Sequence, residues 1–106
     1  MRALALAFAA AACAPAEPVA LNAAQLAVYP DAVGMPADVQ DYIVDWRDCR
    51  HWQGEFGEEE ARRRQIEEAV RRTCRGINAR GRQVRARHAG DPVVLARIAD
   101  YEALEE

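Results

Sequence analysis

The chain has 106 residues, of which 51% are hydrophobic and 29% are charged, and its formal net charge is minus 3. A chain of this length forms one domain rather than two, and none of its apolar runs is long enough to cross a bilayer. The small net charge conceals three blocks, since residues 17–60 carry a net charge of minus 8, residues 61–90 plus 8 and residues 91–106 minus 4.

Residues 1–16 have the pattern of an export signal. One arginine precedes the apolar run of residues 3–12, which is too short for a membrane span but typical of a signal peptide. The sequence up to Cys13 resembles a bacterial lipobox, and lipidation of Cys13 would explain the odd number of cysteines in an exported chain. We expect lipoprotein-type cleavage before Cys13, or cleavage after Ala16. The protein would then be a membrane-anchored lipoprotein facing the periplasm, or a soluble periplasmic protein.

Residues 17–34 are predicted to form a flexible tether. They contain two prolines and a glycine, and their one apolar stretch is too brief to make a confident element. The ordered part of the chain is expected to be a helical domain over residues 35–106.

The first helix of this domain is predicted from Pro36 onward. Apolar residues recur there at spacings of three and four and would form one buried stripe, consisting of Val39, Tyr42, Ile43, Trp46 and Cys49. Pro36 suits the first turn of a helix, and the aspartates between the stripe positions would face solvent.

Three further helices are predicted. The second runs from near Glu58 to a cap at Gly76, and the third is weaker because Gly81 costs it about 1 kcal/mol relative to alanine. The last opens with Asp91 as its N-cap and Pro92 at its first position. The predicted fold class is therefore all-α, a small bundle of three or four short helices.

A disulfide between Cys49 and Cys74 is predicted, because an exported chain meets an oxidising compartment. Closing this loop would contribute about 3 to 4 kcal/mol. A tight helical hairpin would place the two Cα atoms about 24 Å apart, whereas a disulfide needs them within about 7 Å. We therefore expect the first helix to stop near Cys49 and residues 50–57 to run back as an extended strap. Trp52 and Phe56 would then pack on the second helix.

The sequence contains no glycine-rich phosphate loop, no Gly-x-Ser-x-Gly elbow and no Cys-x-x-Cys pair. Zinc-ligand types do occur at Cys49, His51, Cys74 and His88, but their spacing does not fit a zinc site. Using a cysteine as a nucleophile would require a free thiolate, which the expected disulfide removes. We expect no enzymatic activity, no cofactor and no bound metal.

The arginines of residues 61–90 are the candidate binding residues. They could meet anionic lipid headgroups, an anionic envelope polymer or an acidic protein partner, whereas export disfavours nucleic acid. The alternative is pairing within the molecule, with the acids of the first and last helices or with acids one turn away, such as Glu67 with Arg71. The candidate anion-binding residues are Arg62, Arg63, Arg71, Arg72, Arg75, Arg82 and Arg85.

The segments Cys49-Arg-His51-Trp-Gln-Gly54-Glu55 and Cys74-Arg-Gly76 resemble a group of small, uncharacterised exported proteobacterial proteins. This resemblance covers most of residues 36–104 and implies no activity. A looser similarity to lysozyme-inhibitor-like lipoproteins rests on small size, export, helices and a disulfide.

We therefore expect a non-enzymatic module of the cell envelope, with an interaction or structural role. One alternative is an inhibitor of a cell-wall hydrolase, which would use an acidic face to engage a basic enzyme. That face would consist of Asp38, Asp41, Asp45 and Asp48. A second alternative is a binder of anionic lipid or envelope polymer that acts through the arginine-rich helices.

Overall fold

The computed structural model describes residues 17–106, so the predicted signal segment and Cys13 lie outside the described residues. Within that range the chain is helical and contains no strand. Its elements are α1 (Ala23–Val28), a 3-10 turn (Pro30–Ala32), α2 (Ala37–Gln53), α3 (Glu60–Cys74), α4 (Ile77–Arg87) and α5 (Pro92–Arg97). The all-α prediction is confirmed, and α2 to α5 are the four helices of the predicted domain. None of the helices in the described range is both long and apolar enough to cross a membrane.

Helix α2 is the centre of the fold. All five residues of its predicted stripe are buried, with exposed fractions between 0 and 4%. Helices α3 and α4 both pack against α2. The period of three and four in the sequence therefore identified the core face of this helix correctly.

The ends of α4 and α5 follow the predicted local signals. Gly76 has a φ of 67° and lies in the turn between α3 and α4, a left-handed conformation that glycine adopts without strain. The side chain of Asp91 accepts hydrogen bonds from the backbone N–H groups of Val93 and Val94, at 3.0 and 3.2 Å, so the predicted N-cap of α5 is confirmed. Ile77, Val84, Val94, Ile98 and Tyr101 all lie in the core.

Gly81 marks a close contact between α4 and α2. A Cβ atom at this position would lie 2.7 Å from the hydroxyl oxygen of Tyr42, which is only 2% exposed. The glycine that weakens α4 as an isolated helix is therefore needed where α4 approaches α2.

The disulfide between Cys49 and Cys74 is confirmed, with the two Cα atoms 4.8 Å apart. The extended strap is wrong, because α2 continues through Cys49 to Gln53 and Phe56 is 82% exposed. The strap was predicted because a tight turn directly after α2 would hold the two cysteines too far apart for a disulfide. Six residues connect α2 to α3 instead, and they can span about 20 Å. Helix α3 can therefore begin beyond the end of α2 and still bring Cys74 beside Cys49.

Much of the segment predicted as a tether is packed against the helices. Leu21, Leu26 and Tyr29 contact the core, and Ala32 is completely buried. Gln40 of α2 holds this segment, because its side chain accepts a hydrogen bond from the N–H of Leu21 and donates one to the carbonyl of Ala32, both at 2.9 Å. The structure thus differs from the prediction over residues 21–34, which belong to the packed domain.

The residues after α5 cross the bundle without regular secondary structure. The indole N–H of Trp46 donates to the carbonyl of Glu102 at 2.8 Å. Asn78 of α4 pairs with Leu104 through two hydrogen bonds, its amide N–H donating to the carbonyl at 2.7 Å and its amide oxygen accepting from the backbone N–H at 2.9 Å. The C-terminal segment therefore joins α2 to α4 and closes one side of the fold.

Candidate functional site

The arginines of α4 are mostly committed to the fold. Arg80 forms ion pairs with Asp41, at 2.8 Å, and with Asp45. Arg85, one of the predicted anion-binding residues, donates to the carbonyls of Ile98 and Tyr101 at 3.1 and 2.7 Å. These guanidinium groups hold α4 to α2 and to the C-terminal segment.

The acidic face of α2 is occupied by partners within the molecule. Arg80 covers Asp41 and Asp45. Asp38 is only 16% exposed and contacts both Arg87 and His88, at 2.8 and 2.9 Å. The pKa of Asp38 is low despite its burial, because both of these groups hydrogen-bond to the carboxylate.

The fourth aspartate of that face, Asp48, accepts a hydrogen bond from the hydroxyl of Tyr29 at 2.7 Å. Burial, reinforced by this bond, raises the pKa of Tyr29 to about 12.

Arg80 and Arg87 of α4 thus pair with three of the four aspartates of α2. The attraction between the acidic and basic blocks therefore operates largely within the molecule, between α2 and α4.

The arginines at the start of α3 also have partners. The guanidinium group of Arg62 contacts Glu55 at 3.2 Å and lies 5.5 Å from the ring centroid of Trp52. Arg63 donates to the carbonyl of Glu58 at 2.6 Å. Of the predicted anion-binding residues, these two serve mainly to order the connection between α2 and α3.

The last turns of α3 present arginines without acidic partners. Arg71, Arg72 and Arg75 are exposed and form no ion pair with any residue between 17 and 106. The pair between Glu67 and Arg71, which was the alternative to anion binding, is not formed, and Glu68 lines the same shallow depression of about 420 Å³. We call these three residues the arginine face.

Arg82 differs from the other predicted arginines of α4. It is exposed and has no ion-pair partner within the described range. It does not line the depression of the arginine face, however, so it lies apart from those three residues. The predicted anion-binding set thus divides into partnered residues, one separate exposed residue and the arginine face.

The residues considered for metal or thiol chemistry have other contacts. Cys49 and Cys74 are bonded to each other, His51 contacts Glu55 at 3.2 Å and His88 contacts Asp38. Between residues 17 and 106 there is no group of three or more histidine, cysteine, aspartate or glutamate side chains suited to a metal ion.

A cleft of about 710 Å³ lies beside α2 and was not predicted from the sequence. Its walls come from the second half of α2, from Asp31 and from the segment around Arg97 and Tyr101. In the sequence, the cleft arginines Arg47 and Arg50 stand out only as exceptions within an acidic block. Because the three wall segments are distant in sequence, no local pattern indicated the cleft.

Polar contacts fix the back of this cleft. The hydroxyl of Tyr101 donates to Asp31 at 2.7 Å, and Arg47 contacts both groups. The hydrogen bonds from Arg47 and then from Tyr101 hold the pKa of Asp31 below its ordinary value. Burial, together with the bond to Asp31, raises the pKa of Tyr101 to about 12. At neutral pH the carboxylate is therefore ionised and the phenol is protonated.

Comparison of the chain with models of protein families, with curated proteins and with solved structures finds no match. The two resemblances suggested by the sequence therefore stay predictions. The candidate surfaces are defined by the residues and geometry given above, namely the arginine face on α3 and the cleft beside α2.

Proposed function

We propose that the chain is a non-enzymatic module of the cell envelope that docks on anionic lipid headgroups through the arginine face. The observation that carries this proposal is the absence of acidic partners for Arg71, Arg72 and Arg75 among residues 17–106. Most other arginines of the basic block contact carboxylates or carbonyls in the fold. The arginine face is thus where the block can meet an external anion.

The chemistry of arginine supports a phosphate partner. A guanidinium group is planar, stays charged and donates paired hydrogen bonds that match phosphate oxygens. Arg71 and Arg75 line the same depression, so their side chains are neighbours at the C-terminal end of α3. A bilayer that contains anionic lipid would therefore meet several charges at once.

The extent of the arginine face favours a lipid surface over an envelope polymer. Arg71 and Arg72 lie in the last turn of α3, Arg75 directly follows it, and the depression that the three residues line is shallow. A linear polymer is better held by a longer positively charged track, whereas headgroups can be met at a short patch. The export signal and lipidation of Cys13 expected from the sequence would also bring the chain to a membrane.

Inhibition of a cell-wall hydrolase gains less support from the contacts. That hypothesis needs the aspartates of α2 to face a basic enzyme, yet Asp38, Asp41 and Asp45 contact arginines of α4. An enzyme would have to displace these arginines to reach the carboxylates. The arginine face requires no such exchange.

Co-sedimentation with vesicles tests the proposal. The full chain is mixed with phosphatidylcholine vesicles, with and without phosphatidylglycerol, and the readout is the excess binding to the anionic vesicles. Residues 1–16 carry Arg2 and add to this excess, but they are unchanged in the variants described below, so a difference between those variants reports the arginine face. We expect a clear excess at low salt that falls as salt screens the charges.

Two variants of equal net charge identify the surface. Arg71→Gln/Arg75→Gln removes two arginines of the face, and at about 1 kcal/mol for each arginine the excess binding should fall roughly 30-fold. Arg80→Gln/Arg87→Gln removes two paired arginines of α4 and should bind much like the unaltered chain. Equal losses in the two variants would show that only net charge matters. Equal binding of the unaltered chain to both vesicle types would contradict the lipid proposal.

A further inference from the structure

The cleft beside α2 offers a second surface, separate from the arginine face. Its volume of about 710 Å³ lies within the range of about 300 to 1,000 Å³ that is common for small-ligand sites. Three segments that are distant in sequence form its walls, and they supply three arginines, Arg47, Arg50 and Arg97. The fold thus brings together guanidinium groups that are scattered along the chain.

The back of the cleft is rigidly organised. The rings of Trp46 and Tyr101 are stacked, with their centroids 4.3 Å apart and their planes inclined by 10°. Both residues are at most 5% exposed. Asp31 and Arg47 fix the hydroxyl of Tyr101, as described above. The position of Arg47 is therefore set before any ligand arrives, which lowers the entropic cost of binding.

The three arginines have unused hydrogen-bond donors. Arg47 uses its Nε and Nη2 atoms on Tyr101 and Asp31, and its Nη1 atom is left over. Arg97 uses only Nη1, which donates to the carbonyls of Asp31 and Val33 at 2.7 and 3.0 Å.

Arg50 retains the most donors of the three. Its guanidinium group lies 5.3 Å from the ring centroid of Trp46, and its side chain makes no hydrogen bond or ion pair with another residue of the described range. Contact with the indole ring holds the charge at the cleft without consuming a donor.

The carboxylates of the cleft do not cancel this charge. Asp31 is paired with Arg47, and Glu55 contacts both His51 and Arg62. Arg97 bonds only to neutral carbonyls, and Arg50 has no acidic partner among residues 17–106. Asp100 is the remaining acid in the lining, so one positive charge is left in excess once Arg62, which lies outside the lining, is counted against Glu55.

We propose that the cleft binds a small ligand through a carboxylate or phosphate group, which Arg50 and the free donors of Arg47 and Arg97 receive. Both groups are oxyanions whose geometry matches the guanidinium fork. This proposal does not depend on the lipid function, since it concerns different residues.

NMR titration of the ¹⁵N-labelled full chain tests the proposal at constant ionic strength. The probes are inorganic phosphate, N-acetylalanine and its neutral amide, each up to about 10 mM. We expect saturable shifts of the Nε–H signal of Arg50 and the indole signal of Trp46. One of the two anions should bind more tightly, which identifies the preferred group, and the neutral amide should leave both signals in place.

Two variants localise the binding. Arg50→Gln should weaken binding of the preferred anion about tenfold, as expected for the loss of one charged hydrogen bond. Arg64→Gln removes an exposed arginine of α3, outside the cleft, and should bind like the unaltered chain. The proposal is overturned if neither anion gives saturable shifts, if the neutral amide shifts the same signals, or if Arg50→Gln binds with unaltered affinity.

Discussion

Helices α3 and α4 carry arginines in similar number but use them differently. On α4, Arg80, Arg85 and Arg87 contact carboxylates and carbonyls of α2 and of the C-terminal segment. On α3, the last turns present arginines that have no acidic partner among residues 17–106. The comparison teaches that one block of like charge in a sequence can divide into a structural part and an available part.

The difference follows from how each helix meets α2. Gly81 lets α4 approach Tyr42 closely, so Arg80 and Arg87 reach the aspartates of α2. Helix α3 has only Ala69 and Cys74 fully buried, and its last residue is bonded to Cys49. Helix α4 is thus held by close packing and polar contacts, whereas α3 packs along α2 and is also bonded to it covalently.

Removal of the disulfide should have the largest effect. Cys49→Ala/Cys74→Ala should lower the free energy of unfolding by about 3 to 4 kcal/mol, because the unfolded chain is no longer constrained. Urea denaturation measures the change, and a reductant should destabilise the unaltered chain but not the double variant. If the reductant leaves the unaltered chain as stable as before, α3 does not depend on this bond.

Replacement of single arginines tests the division directly. Arg85→Gln should cost about 2 kcal/mol of stability, because two carbonyls lose a charged donor. Arg75→Gln, the matched change on the arginine face, should alter stability by less than about 0.5 kcal/mol. Thermal and urea denaturation measure the change in stability of each variant. Equal losses of stability in the two variants would contradict the division of the arginines into structural and available residues.

Replacement of a glycine tests the close approach of α4. Gly81→Ala should destabilise the fold by about 1 kcal/mol, because the clash with Tyr42 outweighs the gain in helix propensity. Gly90→Ala is the control, since a Cβ atom there would meet nothing within 4 Å. An increase in stability of Gly81→Ala, measured by urea denaturation, would mean that α4 does not pack tightly on α2.

Acid should weaken the ion pair between Asp31 and Arg47, two residues that lie outside the basic block of the sequence. The folded state lowers the pKa of Asp31, so its contribution is present above the unfolded pKa of about 4 and is lost as the pH falls through the folded value. The carboxylate is about one third exposed, so the effect should stay below about 1 kcal/mol.

Asp31→Asn isolates this contribution from that of the other carboxylates. The stability difference between the unaltered chain and this variant should shrink as the pH falls below about 4. Urea denaturation across the acid range measures the difference. A difference that stays constant down to pH values well below 4 would show that Asp31 is not stabilised as an anion.

Local signals in the sequence predicted much of the fold. The stripe of α2, the cap formed by Asp91 and the left-handed turn at Gly76 each depend on residues close in sequence. The disulfide followed from the number of cysteines and the expected compartment. Errors arose where distant contacts decide the outcome, as for Gln40, a polar residue that is buried because it bonds to the segment before α2.

The candidate surfaces were harder to predict. Arg75 and Arg85 lie in the same basic block, and only the position of the C-terminal segment makes one of them exposed and the other structural. The cleft arginines Arg47, Arg50 and Arg97 have no shared motif because they come from separate segments. Composition therefore indicated that arginines matter, but tertiary structure decides which of them are available.

The mobility of arginine side chains tests the central claim most directly. Heteronuclear ¹⁵N relaxation at the Nε atoms reports how firmly each guanidinium group is held on the picosecond to nanosecond timescale in the unaltered chain. The account predicts high order for Arg80 and Arg85 and low order for Arg71 and Arg75. Equal order at all four positions, or greater order on the arginine face, would contradict the division between α3 and α4.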